Sequence, residues 1–335
     1  VAFSTYLGQI VLLTATEAKV IAVGMIVAVA ALNVLGTRKS ANVQNAATAI
    51  KVVAILAMSA VLLLSRRSVP SEAVVETSGT LISGFGLAMI SVLWAYEGWQ
   101  YCTFSAGETV DPQRSFPRAF LVGSVSLIVI YVVANLGYMA VLGSAGAAAS
   151  NSVAAEAMRA AFGPLFAKLI AVVILVSIFS AANGLTLTSP RVYYAMANDG
   201  VFFRRLASVH PRFQTPAFAV VAGSAWAAVL AASGTFEQLL TYVVFTGWIF
   251  YGLGAAAVFI YRRREPDTPR PYRVPGYPYT SLMFVIAAGA LVLNTVVAEP
   301  RRALVGLGLV ISGAPAYLIW RRHNAGTQAL SAPRA

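Results

Sequence analysis

The chain has 335 residues, 59% hydrophobic and 11% charged, with a formal net charge of +12 and a mean hydropathy of +0.75. A soluble domain carries about 25% charged residues, so a soluble enzyme is excluded and a multi-pass membrane protein is expected. The basic excess is no nucleic-acid footprint, because the Lys and Arg residues occupy short loops between apolar runs, where membrane topology places them.

In chain order, the opening apolar run, residues 1–13, makes ~20 Å of helix, less than the ~30 Å a bilayer core needs. It has no basic leader region and reads as the rear part of a spanning helix. Uncharged runs then predict spans at Val20–Gly36, Asn42–Leu64, Thr80–Gly107, Ala119–Leu142, Leu169–Pro190, Phe213–Thr235, Leu239–Tyr261, Tyr279–Ala298 and Ala303–Trp320. The expected fold class is all-α, with nine complete transmembrane helices and one partial one. Residues 143–168 read as an external loop with a turn or two of amphipathic helix. Residues 191–214 alternate aromatics and arginines, which suits a helix lying at a membrane surface.

The loops sort by charge. One set comprises Arg38 and Lys39, Arg114 and Arg118, the arginines of 191–214, the five arginines of 262–273, and Arg321, Arg322 and Arg334. With Lys51 it holds 17 of the 24 basic residues. That side is predicted to be cytoplasmic and includes the tail 321–335. The other side has Lys19, Arg66, Arg67, Arg159, Lys168, Arg301 and Arg302.

The third run contains Trp94-Ala95-Tyr96-Glu97-Gly98-Trp99. From Thr80 to Glu97 is ~25 Å of helix, so the carboxylate lies well inside the bilayer core. An ionised Glu at that depth costs at least ~2.5 kcal/mol on insertion scales. Interrupted helices that line a cavity tolerate such residues, and Gly98 frees the backbone to leave helical geometry. Two readings of Glu97 stand: it meets an amine or proton in a wet cavity, or it caps the second half-helix. Trp94 reads as a lid over a substrate or as packing. Lys51, ~13 Å into its span, reads as an interfacial lysine or as a fixed cation. Ser177 and Ser180, in Ser177-Ile178-Phe179-Ser180-Ala181-Ala182-Asn183-Gly184, are helix-packing residues or partners of Lys51. Cys102 is the lone cysteine, His210 and His323 lie in basic segments, and the zinc and serine-hydrolase signatures are absent. Neither a metal nor another cofactor is expected.

Three stretches taken together resemble the amino acid–polyamine–organocation superfamily, in its L-type amino acid transporter-like branch. They are Leu32-Asn33-Val34-Leu35-Gly36-Thr37-Arg38 through Ala49-Ile50-Lys51, Leu93-Trp94-Ala95-Tyr96-Glu97-Gly98-Trp99 through Gly107 to Arg118, and Asn183-Gly184 through Ser189-Pro190-Arg191 to Asn198-Asp199-Gly200. The resemblance implies a twelve-helix carrier built from two inverted five-helix repeats. On that scheme residues 1–13 end helix three, 18–64 form helices four and five, 80–261 the second repeat, and 279–320 helices eleven and twelve. It also implies a substrate ammonium group on the break at Trp94–Gly98, with Trp94 as the aromatic gate. Lys51 corresponds to a helix-five lysine that replaces a sodium ion. Some members are disulfide-linked to a glycoprotein through a cysteine between helices three and four; Thr14-Ala15-Thr16-Glu17 has none, so no such heavy chain is expected.

The expectation is therefore a secondary amino acid transporter in the plasma membrane, coupled to protons or exchanging substrates. A polyamine or cationic amino acid carrier is the nearest alternative. An amino acid sensor, a channel or an inactive fragment are the alternatives of other classes.

Overall fold

A computed structural model describes residues 1–65, 89, 92–150, 152–233, 236–298 and 300–331. The first part of the span expected from Thr80, with Arg66, Arg67 and Arg334, lies outside these residues. The described residues form α1 (Ala2–Leu7), α2 (Ala15–Val34), α3 (Thr37–Leu64), a 3₁₀ helix at Trp99–Glu108, α4 (Pro112–Ala149), α5 (Val153–Phe162), α6 (Pro164–Asn198), a 3₁₀ turn at Arg204–Ala207, α7 (Ala217–Ser233), α8 (Phe236–Arg264), α9 (Tyr279–Ala298) and α10 (Pro300–Ser331). No strand occurs among them. Six segments are long and apolar enough to cross a bilayer: Ala15–Val34, Thr37–Leu64, Pro112–Ala149, Pro164–Asn198, Tyr279–Val297 and Ala303–Trp320. The protein is an all-α multi-pass membrane protein.

Local chemistry starts and turns these helices. Thr14 and Glu17 form a reciprocal capping box at the start of α2: the Glu17 N–H donates to Thr14 Oγ1 at 3.3 Å, and the Thr14 N–H donates to Glu17 Oε2 at 2.7 Å. On α4, Leu121, Val125, Ile128, Val132, Leu136 and Met139 are all exposed. Their three- and four-residue spacing makes one apolar stripe, the face such a helix turns to lipid. The opposite face buries Ala134, Gly137 and Val141. A Cβ on Gly137 would stand 3.4 Å from the Ser59 backbone of α3, so a small residue is what permits this approach.

Four expectations change. The 143–168 segment is not a loop: α4 continues to Ala149 past a kink at Gly143 (φ 68°, ψ 176°), and α5 follows. Alanine is the strongest helix former, and α5 buries Ala157, Met158 and Ala161 against Met58, Leu62 and Val141. The helix expected to stop at Pro190 runs on to Asn198. Pro190 withdraws its N–H from the Thr186 carbonyl, yet the helix continues through it; close by, Thr188 Oγ1 donates to the Gly184 carbonyl and Arg191 to the Leu187 carbonyl. Instead of a surface helix, residues 191–214 thus hold the end of α6 and a 3₁₀ turn. The expected tail likewise begins inside α10.

A buried polar knot ties α2, α3 and α6 together. Asn33 Nδ2 donates to Asn183 Oδ1 at 2.9 Å. Ser40 Oγ donates to Asn33 Oδ1 at 2.7 Å and lies 3.0 Å from Asn183 Oδ1. Asn183 Nδ2 donates to the Ser40 carbonyl at 3.2 Å and to Gln44 Oε1 at 3.1 Å. Buried amides need such partners, and the knot fixes the antiparallel register of α3 against α6.

Candidate functional site

The broken segment is the centre of the site. Residues 92–95 are helical, 96–98 form a turn, and the 3₁₀ helix begins at Trp99. Gly98 carries φ 119° and ψ −12°, a conformation L side chains rarely adopt. The Tyr96 N–H donates to the Leu93 carbonyl at 3.2 Å and the Glu97 N–H to the Trp94 carbonyl at 3.0 Å, and the Gly98 carbonyl accepts from the Tyr101 N–H at 3.2 Å. The Ala95 carbonyl accepts from the Tyr131 hydroxyl at 2.9 Å. The carbonyls of Tyr96 and Glu97 receive no hydrogen bond from a described residue. Among the described residues, two peptide oxygens are therefore left bare at the break, with the negative ends of their dipoles unmatched.

Aromatic side chains hold this geometry. The Tyr96 ring packs edge-on against Tyr131 of α4 at 5.1 Å. Trp99 packs on Phe120 of α4 at 6.3 Å and on Tyr251 of α8 at 5.6 Å. Trp94 is half-buried and makes no ring contact to a described residue.

Glu97 neither caps the second half of the helix nor stands free. Its Oε1 accepts from the Tyr251 hydroxyl and from Gln100 Nε2 at 2.7 Å. The capping role falls to Gln100, whose Oε1 accepts the Gly98 N–H at 3.2 Å. Gln100 thus bridges backbone and carboxylate, and Glu97 tethers the break to α8.

Lys51 lies at the midpoint of α3, because that helix starts at Thr37 rather than Asn42. It is 14 residues from Thr37, or ~21 Å, deeper than its span predicted. It follows Ser40, Gln44 and Ala47 on the face that carries the polar knot. A Cβ on Gly184 would meet Gln44 Nε2 at 3.4 Å, and further along Ile170 packs on the cluster that holds Leu62. At equal rise along the two antiparallel helices, the Gln44–Gly184 approach sets Lys51 near the level of Ser177. Lys51 is half-buried and makes no hydrogen bond or ion pair to a described residue. Ser180 is fully buried, and its hydroxyl has no hydrogen-bond partner among the described residues. Ser177 is half-buried one turn earlier. The two serines share a helix with Asn183, while Lys51 and the break lie on separate elements that no described side-chain contact joins.

One ion-pair cluster went unread in the sequence. Arg191, with its side chain 10% exposed, pairs with Glu108 at 3.0 Å and donates to Thr37 Oγ1 at 3.1 Å. It joins the end of the 3₁₀ helix to α6 and to the start of α3. The GET motif at 107–109 and the Pro-Arg pair at 190–191 were its only local signals.

The candidate site is thus a helical turn at 92–95 that gives way at Gly98 to a 3₁₀ helix, with two peptide oxygens that receive no hydrogen bond from a described residue beside a clamped carboxylate. Residues 1–311 match the family described as amino acid permease. The chain belongs to that family. This permease is similar to the serine/threonine exchanger SteT of Bacillus subtilis (strain 168), 28% identical over 310 residues, which cover 92% of this chain and 70% of the relative. It is also similar to the b(0,+)-type amino acid transporter 1 of Mus musculus, 26% identical over 324 residues, covering 95% of this chain and 66% of that protein. A third relative is the large neutral amino acids transporter small subunit 2 of Mus musculus, 29% identical over 234 residues, covering 70% and 43%. The permease thus spans only part of the length of each.

Proposed function

We propose that this permease is a secondary carrier of amino acids that works by alternating access, and that it exchanges substrates or couples to protons rather than to sodium. The single observation that carries this reading is the pair of bare carbonyls at Tyr96 and Glu97, beside the left-handed Gly98. Carbonyl dipoles at a helix break suit an ammonium group. In this reading Trp94, Ala95, Tyr96, Glu97 and Gly98 form the half-site for the substrate amine, and Trp94 closes over it. Lys51 stands in for a coupling cation, with Ser177 and Ser180 as its partners. The unpartnered hydroxyl of Ser180 supports that assignment, because an orphan buried donor is costly by about 1–3 kcal/mol. The family and the names of the relatives support the amino acid class.

A zwitterionic substrate is favoured over a polyamine, because Glu97 Oε1 already accepts two hydrogen bonds and is held toward α8. The charge bias of the loops supports a plasma-membrane protein with its C-terminus in the cytoplasm. Thr14–Glu17 offers no thiol, so a disulfide-linked heavy chain is no part of the proposal.

The test is uptake of radiolabelled serine and leucine by the full-length protein in proteoliposomes. Uptake is expected to rise when the vesicles are preloaded with unlabelled amino acid or acidified outside. It is expected to be indifferent to sodium and poorly competed by putrescine. Tight binding with no flux would replace the carrier with a sensor, and strong competition by putrescine would overturn the substrate class.

A further inference from the structure

We propose that the groove formed by α6, α7 and the Arg204–Ala207 turn binds one anionic phospholipid, with its phosphate at Arg204 and Arg205 and an acyl chain along the aromatic wall. The cavity measures about 650 Å³, is walled by Tyr193, Phe202, Phe218 and Trp226, and ends at Arg204 and Arg205. Trp226 is 65% exposed and Phe218 43%, so the groove opens on the surface that faces lipid.

The turn is pinned from below. Leu206 is buried against Ala197 and Ala219, which leaves Arg204 and Arg205 exposed at the rim. Among the described residues no carboxylate lines this cavity, and neither arginine forms an ion pair with one of them. Two guanidinium forks without a counter-ion match a phosphodiester. The depth fits as well. Trp320 packs edge-on against Phe203 at 5.0 Å and tilted against Phe202 at 5.8 Å. Aromatic residues gather at headgroup level, and Arg204 follows Phe203 directly. The arginine-rich side is the one the positive-inside bias assigns to the cytoplasm, whose leaflet carries the anionic lipids. A purely apolar occupant would fill the wall but would leave both arginines uncompensated.

The test is native mass spectrometry of the full-length protein in neutral detergent with added phosphatidylglycerol or phosphatidylcholine. The wild type is expected to retain one phosphatidylglycerol in preference to phosphatidylcholine. The Arg204→Gln/Arg205→Gln double variant is expected to weaken that retention by about fivefold per arginine, roughly 25-fold for the pair. Ala222→Trp, which fills the groove, should reduce retention of both lipids. Arg263→Gln/Arg264→Gln, on exposed arginines at the end of α8, should leave retention unchanged. The proposal is overturned if the 204/205 variant retains phosphatidylglycerol like the wild type or if the 263/264 variant loses it equally. It is also overturned if millimolar inorganic phosphate displaces the lipid while Ala222→Trp has no effect, which would assign the arginines to a free anion.

Discussion

Gly98→Ala isolates the backbone at the break. A Cβ at this position would meet Tyr101 Cδ2 at 3.7 Å, an ordinary contact, so no steric clash accompanies the change. What it alters is the φ of 119°, which an alanine adopts only at a penalty of about 1–3 kcal/mol. If the broken conformation is the one that binds substrate, that penalty lowers its population by about 5- to 150-fold. The assay is the initial rate of amino acid uptake at low substrate concentration in proteoliposomes, with thermal melting in detergent as a check on folding. Gly98→Asn should be milder, because asparagine tolerates positive φ better than alanine. An alanine variant that melts like the wild type and transports within about twofold of it would refute the reasoning, since the break would then contribute nothing to binding.

Three further outcomes follow from the same geometry. Tyr251→Phe removes a hydrogen bond to the Glu97 carboxylate, worth about 1.5–3 kcal/mol, and should lower both the melting temperature and the uptake rate; Glu97→Gln in the same background should add little, as expected of one shared interaction. Asn183→Leu deprives Asn33, Ser40 and Gln44 of their common partner and should destabilise the protein by about 2–4 kcal/mol, read by thermal melting. Lys51→Ala should abolish coupled uptake while leaving the melting temperature close to that of the wild type, and full uptake by this variant would remove the lysine from the coupling site.

Much of the fold was legible because lipid imposes long apolar runs. The span predicted at Tyr279–Ala298 coincides with α9, and Val20–Gly36 overlaps α2. The break was legible for a related reason: Glu97 next to Gly98 violates the apolar rule in mid-span. Helix ends were harder. Pro190 looked like a stop, but the helix runs through it to Asn198 at the cost of the bond to the Thr186 carbonyl. Gly143 gave no sign that a kinked helix would continue beyond it. Least legible were the partners of the site residues. Glu97 and Tyr251 are 154 residues apart and Asn33 and Asn183 are 150 apart, and no local pattern encodes such meetings. Neither reading of Glu97 anticipated its partners, since the Tyr251 hydroxyl arrives from a distant helix and the Gly98 N–H bonds to Gln100 instead.

The central claim is that the bare peptide oxygens at the break hold the substrate's ammonium group. It is tested most directly by the structure of the full-length protein with a bound amino acid. The account predicts the ammonium nitrogen within hydrogen-bond distance, about 2.7–3.2 Å, of the Tyr96 and Glu97 carbonyls. An ammonium paired with the Glu97 carboxylate, or a substrate bound away from an intact helix through 96–98, would contradict it.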